Sequence, residues 1–126
     1  MSMKYITDIY YSFQNQAYEK NKGYIIDEPN LFCMAFNTGE YSFEIKKQND
    51  IVTIERKGEQ SYCITLSNQP TSFVISTPYG ALSYSTSLIS CDIEKKANSF
   101  ALTLSYSLTD SSGFSQNTTL KMRGKI

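Results

Sequence analysis

Arg56 is the charge that the pattern of this chain puts in an unexpected place. In Ile51–Arg56, the residues Val52, Ile54 and Arg56 share one face, opposite Thr53 and Glu55. With the apolar face turned inward, a guanidinium points toward the interior near a strand end. A buried charge is costly unless it is paired, so Arg56 calls for an anion: a carboxylate side chain, a chain terminus or a ligand. The planar fork of guanidinium suits a carboxylate or a phosphate. Two readings stay open. Arg56 anchors an acidic small molecule, which requires a cavity beside it, or it sits at a rim and bonds main-chain carbonyls.

Tyrosine is abundant, at ten residues. Tyr11, Tyr41, Tyr62, Tyr84 and Tyr106 all fall on faces expected to point inward. An enclosed tyrosine needs a partner for its hydroxyl. Several together line a polar cavity, or each reaches a rim or a buried water in a filled interior. Thr77-Pro78-Tyr79-Gly80 is a turn with a mechanism, since Pro78 presets φ and Gly80 can take φ > 0. It forms either a tight corner with Tyr79 plugging one end, or part of a pocket mouth. The candidate ligand-binding set is therefore Arg56, Tyr84, Tyr106, Thr77 and Tyr79.

The chain has no histidine, so it has no Ser–His or Cys–His pair, no imidazole base and no histidine metal site. No GxGxxG or Walker-type loop occurs, and no cofactor or metal is implied. Asp92 and Glu94 share a face expected to be solvated. Enzymatic activity ranks last, because only Tyr, Arg, Lys and carboxylates remain for acid–base work. Cys33, Cys63 and Cys91 are odd in number and scattered, and are expected to be small buried hydrophobes. Twelve basic and twelve acidic residues leave no net charge, which argues against nucleic acid and against an anionic membrane. No apolar window is long enough to span a bilayer, and no signal segment is visible. These features place the protein in the cytoplasm.

The rest of the chain must position these side chains, and it reads as strands throughout. Residues 3–14 alternate, with Met3, Tyr5, Thr7, Ile9, Tyr11 and Phe13 on one face. Residues 17–27 form a weaker strand with a kink or turn at Asn21-Lys22-Gly23. Leu31–Phe36 is continuously apolar, so it is covered on both sides or lies at a closure seam. Further strands follow at Tyr41–Lys46, Ile51–Arg56, Tyr62–Leu66 and Thr71–Thr77. Beyond Gly80 the inward set is Leu82, Tyr84, Thr86 and Leu88; it then shifts to Ile89, Cys91 and Ile93. A one-residue phase change predicts a β-bulge. Phe100, Leu102, Leu104, Tyr106 and Leu108 alternate most cleanly. Phe114, Leu120, Met122 and Ile126 share a face in the last strand. Short turns between eight to ten antiparallel strands predict an all-β, closed up-and-down barrel in one domain, residues 1–126. A two-sheet sandwich is the competing outcome.

Arg56-Lys57-Gly58, Thr77-Pro78-Tyr79-Gly80 with Leu82, Thr86, Tyr106-Ser107-Leu108 and Asn117…Leu120 carry a family likeness over roughly residues 22–126. The chain resembles the YwiB-like family of small bacterial proteins. The resemblance implies a calycin-type, lipocalin-like barrel. It implies no substrate and no catalytic residue. The chain departs from the pattern at its N-terminus, where the first hairpin reads as short.

Two functions compete. One is a cytoplasmic, non-enzymatic barrel holding a small, partly apolar anion. The other is a filled barrel acting as a protein-interaction or regulatory module, with a protein partner or a second copy at an apolar patch near Leu31–Phe36 or Tyr79.

Overall fold

The structure is a computed structural model and describes residues 3–126. It holds ten strands and, among the described residues, no helix: β1 (Met3–Phe13), β2 (Glu19–Glu28), β3 (Leu31–Asn37), β4 (Tyr41–Gln48), β5 (Ile51–Gly58), β6 (Tyr62–Leu66), β7 (Thr71–Thr77), β8 (Gly80–Lys96), β9 (Ser99–Asp110) and β10 (Ser115–Lys125). They lie in one antiparallel sheet in the order β6-β5-β4-β3-β2-β1-β10-β9-β8-β7. The β1–β10 ladder joins the two ends of the chain, from Ile9↔Gly124 to Phe13↔Leu120.

β6 and β7 follow one another in sequence yet share no ladder. The Leu88 N–H donates to the Ser67 carbonyl across this gap at 2.9 Å, and the Thr71 hydroxyl donates to the Thr65 carbonyl. These bonds bring the sheet round into a nearly closed barrel. The meander expectation holds, and the sandwich does not form. The seam lies at β6/β7 and not at Leu31–Phe36.

Side-chain alternation builds the core. Val52 and Ile54 of β5, Ile64 and Leu66 of β6, and Phe100, Leu102, Leu104 and Tyr106 of β9 are all buried. Phe32, Met34 and Phe36 of β3 join the same cluster. Cys33 and Ala35, on the other face of β3, are small and also covered. Glu44, Lys46 and Lys4 stand near Cys33; burial, with Glu44 beside it, pushes the thiol up to about 12. The run is thus two-sided, as its unbroken apolarity required.

Several local expectations are corrected. Asn21–Gly23 makes no turn: β2 runs straight through, with Gly23 paired to both Thr7 and Phe36. Gly23 is there for space. A Cβ would collide with the Ala35 carbonyl oxygen and lie 2.8 Å from Ile9 Cγ1. The first hairpin is also long, running from Met3↔Asp27 to Tyr11↔Glu19. Phe13, Leu82, Phe114 and Ile126 have the expected parity but are exposed, because they lie at or just past strand ends, beyond the packed middle. Cys63 is exposed, not a buried hydrophobe.

The predicted bulge is present, as a register shift between Leu88 and Ser90. Ile89 is its extra residue and points to solvent, while Cys91 and Ile93 return to the core. In the Thr77–Gly80 turn, Gly80 has φ +121°, and the Thr77 hydroxyl donates to the Gly80 carbonyl at 2.6 Å.

Candidate functional site

Five strands bring one arginine and four tyrosines together. Arg56 stands near the end of β5, between Phe43 of β4 and Tyr62 of β6 in the ladder. Its Nε donates to the Glu59 carbonyl at 2.8 Å, and its guanidinium carbon lies 3.8 Å from the ring centre of Tyr41. The Tyr62 hydroxyl is close enough for the guanidinium to oppose the rise in its pKa. Tyr11 enters from β1 and packs on Phe36 and Phe43, each at 5.2 Å between ring centres. Tyr106 enters from β9 and is buried. Tyr11, Tyr62 and Tyr106 are close enough to influence each other's ionisation.

The main-chain bond to Glu59 is the arrangement expected of a rim arginine. No carboxylate lies within ion-pair distance of Arg56 among the described residues. The ion pairs are elsewhere: Lys20–Asp8, Lys46–Glu44, Lys57–Glu55, Lys95–Asp27 and Lys96–Glu94. The guanidinium is therefore held in place with no carboxylate paired to it among the described residues.

Burial pushes the hydroxyls of Tyr11 and Tyr106 well above the ordinary tyrosine range, and neighbouring tyrosines add to the rise. Burial also raises Tyr62, with Arg56 opposing it. At neutral pH these hydroxyls stay protonated and can donate. A raised folded-state value stabilises the fold below the unfolded value of about 10, and that contribution is lost as pH rises. Spectrophotometric titration should show Tyr11, Tyr62 and Tyr106 ionising only in an alkaline unfolding transition. A single smooth tyrosine titration without unfolding would contradict the cluster's burial.

Among the described residues two buried side-chain polar atoms lack partners, Asn21 Nδ2 and Thr86 Oγ1. Asn21 shares the inward face of β2 with Ile25 by alternation. Thr86 is 2% exposed and lies two residues before Leu88, the register partner of Tyr106. Unpaired buried polar atoms are rare and mark a place for water or a ligand.

Of the sequence-derived set, Arg56 and Tyr106 meet in this cluster. Tyr84 stacks on Phe73 in the β7–β8 hairpin, at 5.3 Å and 19°. Thr77 and Tyr79 occupy the hairpin tip, and Tyr79 is 99% exposed, so it plugs nothing. The set omitted Tyr11, Tyr41, Tyr62, Asn21 and Thr86. The inward parity of the three tyrosines was the available signal.

The main concavities lie elsewhere. One of about 580 Å³ opens at the other end of the barrel, lined in part by Phe32, Lys47, Ile93 and Lys95. Lys95 is already paired there with Asp27 at 2.7 Å. Among the described residues no three Cys, Asp or Glu side chains gather as metal ligands. Among the described residues no helix is long and apolar enough to cross a membrane.

A nearly closed antiparallel meander with a packed apolar middle and polar mouths defines a small β-barrel protein. The chain belongs to the family described as "Domain of unknown function (DUF1934)", which matches residues 7–122. The match includes part of β1, so the N-terminal hairpin belongs to the shared fold. Among solved structures the chain is similar to the ywiB protein of Bacillus subtilis. The TM-score is 0.65 at 14% identity, over 98% of this chain and 92% of that one. This likeness speaks to the fold alone. No curated protein matches.

Proposed function

We propose that the barrel is a non-enzymatic, cytoplasmic binder of a small, partly apolar anion, taken at the tyrosine-lined end with Arg56 as counter-charge. The observation that carries this reading is the half-buried guanidinium, oriented by Tyr41 and the Glu59 carbonyl yet facing no carboxylate. The remaining guanidinium N–H groups and the protonated tyrosine hydroxyls suit two oxygens of one carboxylate. The part-buried rings of Tyr11 and Tyr41 suit an apolar or aromatic body. Three unpaired cysteines fit a reducing compartment. Because the middle of the barrel is packed, the ligand sits at the mouth and not deep inside.

The test is a thermal-shift screen of small aromatic carboxylates, with 4-hydroxybenzoate as reference, alongside native mass spectrometry of protein taken from cells. Binding of carboxylates but not of the matching amides or alcohols is expected. Equal response to charged and neutral analogues, or none to any, would overturn the reading.

A second reading, a protein-interaction module, has one observation in its favour. The Leu31–Phe36 segment offers no exposed patch, but Val74, Tyr79 and Leu82 of the β7–β8 hairpin are exposed.

A further inference from the structure

The zero net charge of this chain is a sum over an uneven surface. A strong local field needs only a local excess. Alternation turns Lys20 and Lys22 of β2 and Lys121, Arg123 and Lys125 of β10 to the outside of the barrel, opposite the buried Ile25, Leu120 and Met122. β1 lies between these two strands, and the ladders set their outer residues side by side. Tyr10 stands between Lys20 and Arg123, Asp8 beside Lys22, and Ser12 beside Lys121. Asp8 is thus the carboxylate among five cations, and it reaches Lys20 at 4.0 Å. Among the described residues Lys22, Lys121, Arg123 and Lys125 make no ion pair. On the far side of β10, the uncharged Ser99, Ala101 and Thr103 of β9 separate the cations from Glu94 and Asp92 of β8. Such crowding of like charge costs stability unless an anion offsets it.

The face also carries exposed aromatic surface. The guanidinium carbon of Arg123 lies 4.3 Å from the ring centre of Tyr18 and 5.7 Å from that of Tyr10. Tyr18, from the β1–β2 connection, is 40% exposed, so part of its ring stays open. Arg123 and Lys125 line a groove of about 550 Å³. Lys121, Arg123 and Lys125 alternate with core residues, so they repeat at roughly 6.6 Å, two residues of ~3.3 Å each. An extended single strand of nucleic acid repeats its phosphates at a similar spacing. An acidic peptide would match the charges and leave the open ring without a role. A single strand uses both, phosphates on the cations and base faces on the ring and the guanidinium.

We propose that the outer face of β2, β1 and β10 binds single-stranded nucleic acid. The backbone runs along Lys121, Arg123 and Lys125, Lys20 and Lys22 flank it across β1, and a base stacks at Tyr18. The contacts go to phosphates and ring faces, so binding tolerates many sequences. This face lies outside the barrel and is independent of Arg56.

The test is fluorescence anisotropy with labelled oligouridine and oligothymidine of about 15 nucleotides, near the upper site size of one small barrel. Binding of either oligomer supports the proposal, and the tighter one identifies the natural strand. Between about 50 and 200 mM salt, log K against log[salt] should fall with a slope of roughly −2 to −3.5, from ~0.7 per phosphate contacted. Arg123→Gln should reduce that slope by about 0.7. Tyr18→Ala should weaken binding roughly fivefold or more at unchanged slope, because stacking releases no counterion. Lys57→Gln, at an exposed lysine of β5, should change neither. No binding at ~50 mM salt, the most favourable condition, would overturn the proposal. So would equal losses in Lys57→Gln and Arg123→Gln, or no loss in Tyr18→Ala. Polyglutamate displacing the oligomers as well as unlabelled oligomer does would assign the face to an acidic protein and overturn it too. Should Arg123→Gln fail to fold, Lys125→Gln, at an exposed strand end, takes its place.

Discussion

Gly23→Ala is expected to destabilise the protein by ~3 kcal/mol or more, the upper range for forcing extra volume into a packed site. The added methyl would meet the Ala35 carbonyl oxygen of the neighbouring strand, with Ile9 Cγ1 2.8 Å away. Neither can yield cheaply. The carbonyl belongs to the β2–β3 ladder, and Ile9 is fully buried in the core. Such a loss is a large fraction of the ~5–15 kcal/mol that holds a domain folded. Gly39→Ala is the control. It has nothing within 4 Å of the new methyl, and its cost comes only from its φ of +94°. Urea melts should show a much lower midpoint for Gly23→Ala than for Gly39→Ala. Equal midpoints would mean that β2 and β3 do not approach as closely at Gly23 as the structure has them.

Arg56→Leu carries the second large effect, this time on binding. Removing one partner of a desolvated charge pair costs ~2–5 kcal/mol, so affinity for 4-hydroxybenzoate should fall by roughly 30-fold or more. Stability should change little, because the group is half-exposed and its stacking on Tyr41 is worth ~0.5–1 kcal/mol. Arg56→Lys separates charge from shape. It keeps a cation but loses the fork that meets two carboxylate oxygens. Its affinity should lie between wild type and Arg56→Leu. Isothermal calorimetry on the three chains measures all of this. Unchanged affinity in Arg56→Leu would remove Arg56 from the site.

Much of this fold was legible because period-two alternation reports directly on which face is buried. Phe100–Tyr106 and Val52–Ile54 obey it without exception, and the phase change after Leu88 located the bulge. Alternation fails where burial depends on position along the barrel. Phe13, Leu82 and Phe114 have the right parity, yet they sit where no opposite wall covers them. Gly23 looked like a turn because local composition cannot distinguish a glycine chosen for φ from one chosen for space.

The site was legible only in part, for a related reason. Parity put Tyr11, Tyr41, Tyr62 and Tyr106 on the inner wall. Their meeting around Arg56 depends on the stagger between strands and on closure of the sheet, which no stretch of sequence contains. Tyr84 was indistinguishable from them by parity. Its strand runs on into the hairpin, so its ring meets Phe73 instead.

The most direct measurement is a titration of 4-hydroxybenzoate into protein carrying 13C-labelled tyrosine rings, followed by NMR. Binding beside Arg56 predicts shifts at Tyr11, Tyr41, Tyr62 and Tyr106, with Tyr18 and Tyr79 unmoved. Shifts confined to Tyr79 and Tyr84, or no shifts at saturating ligand, would contradict it.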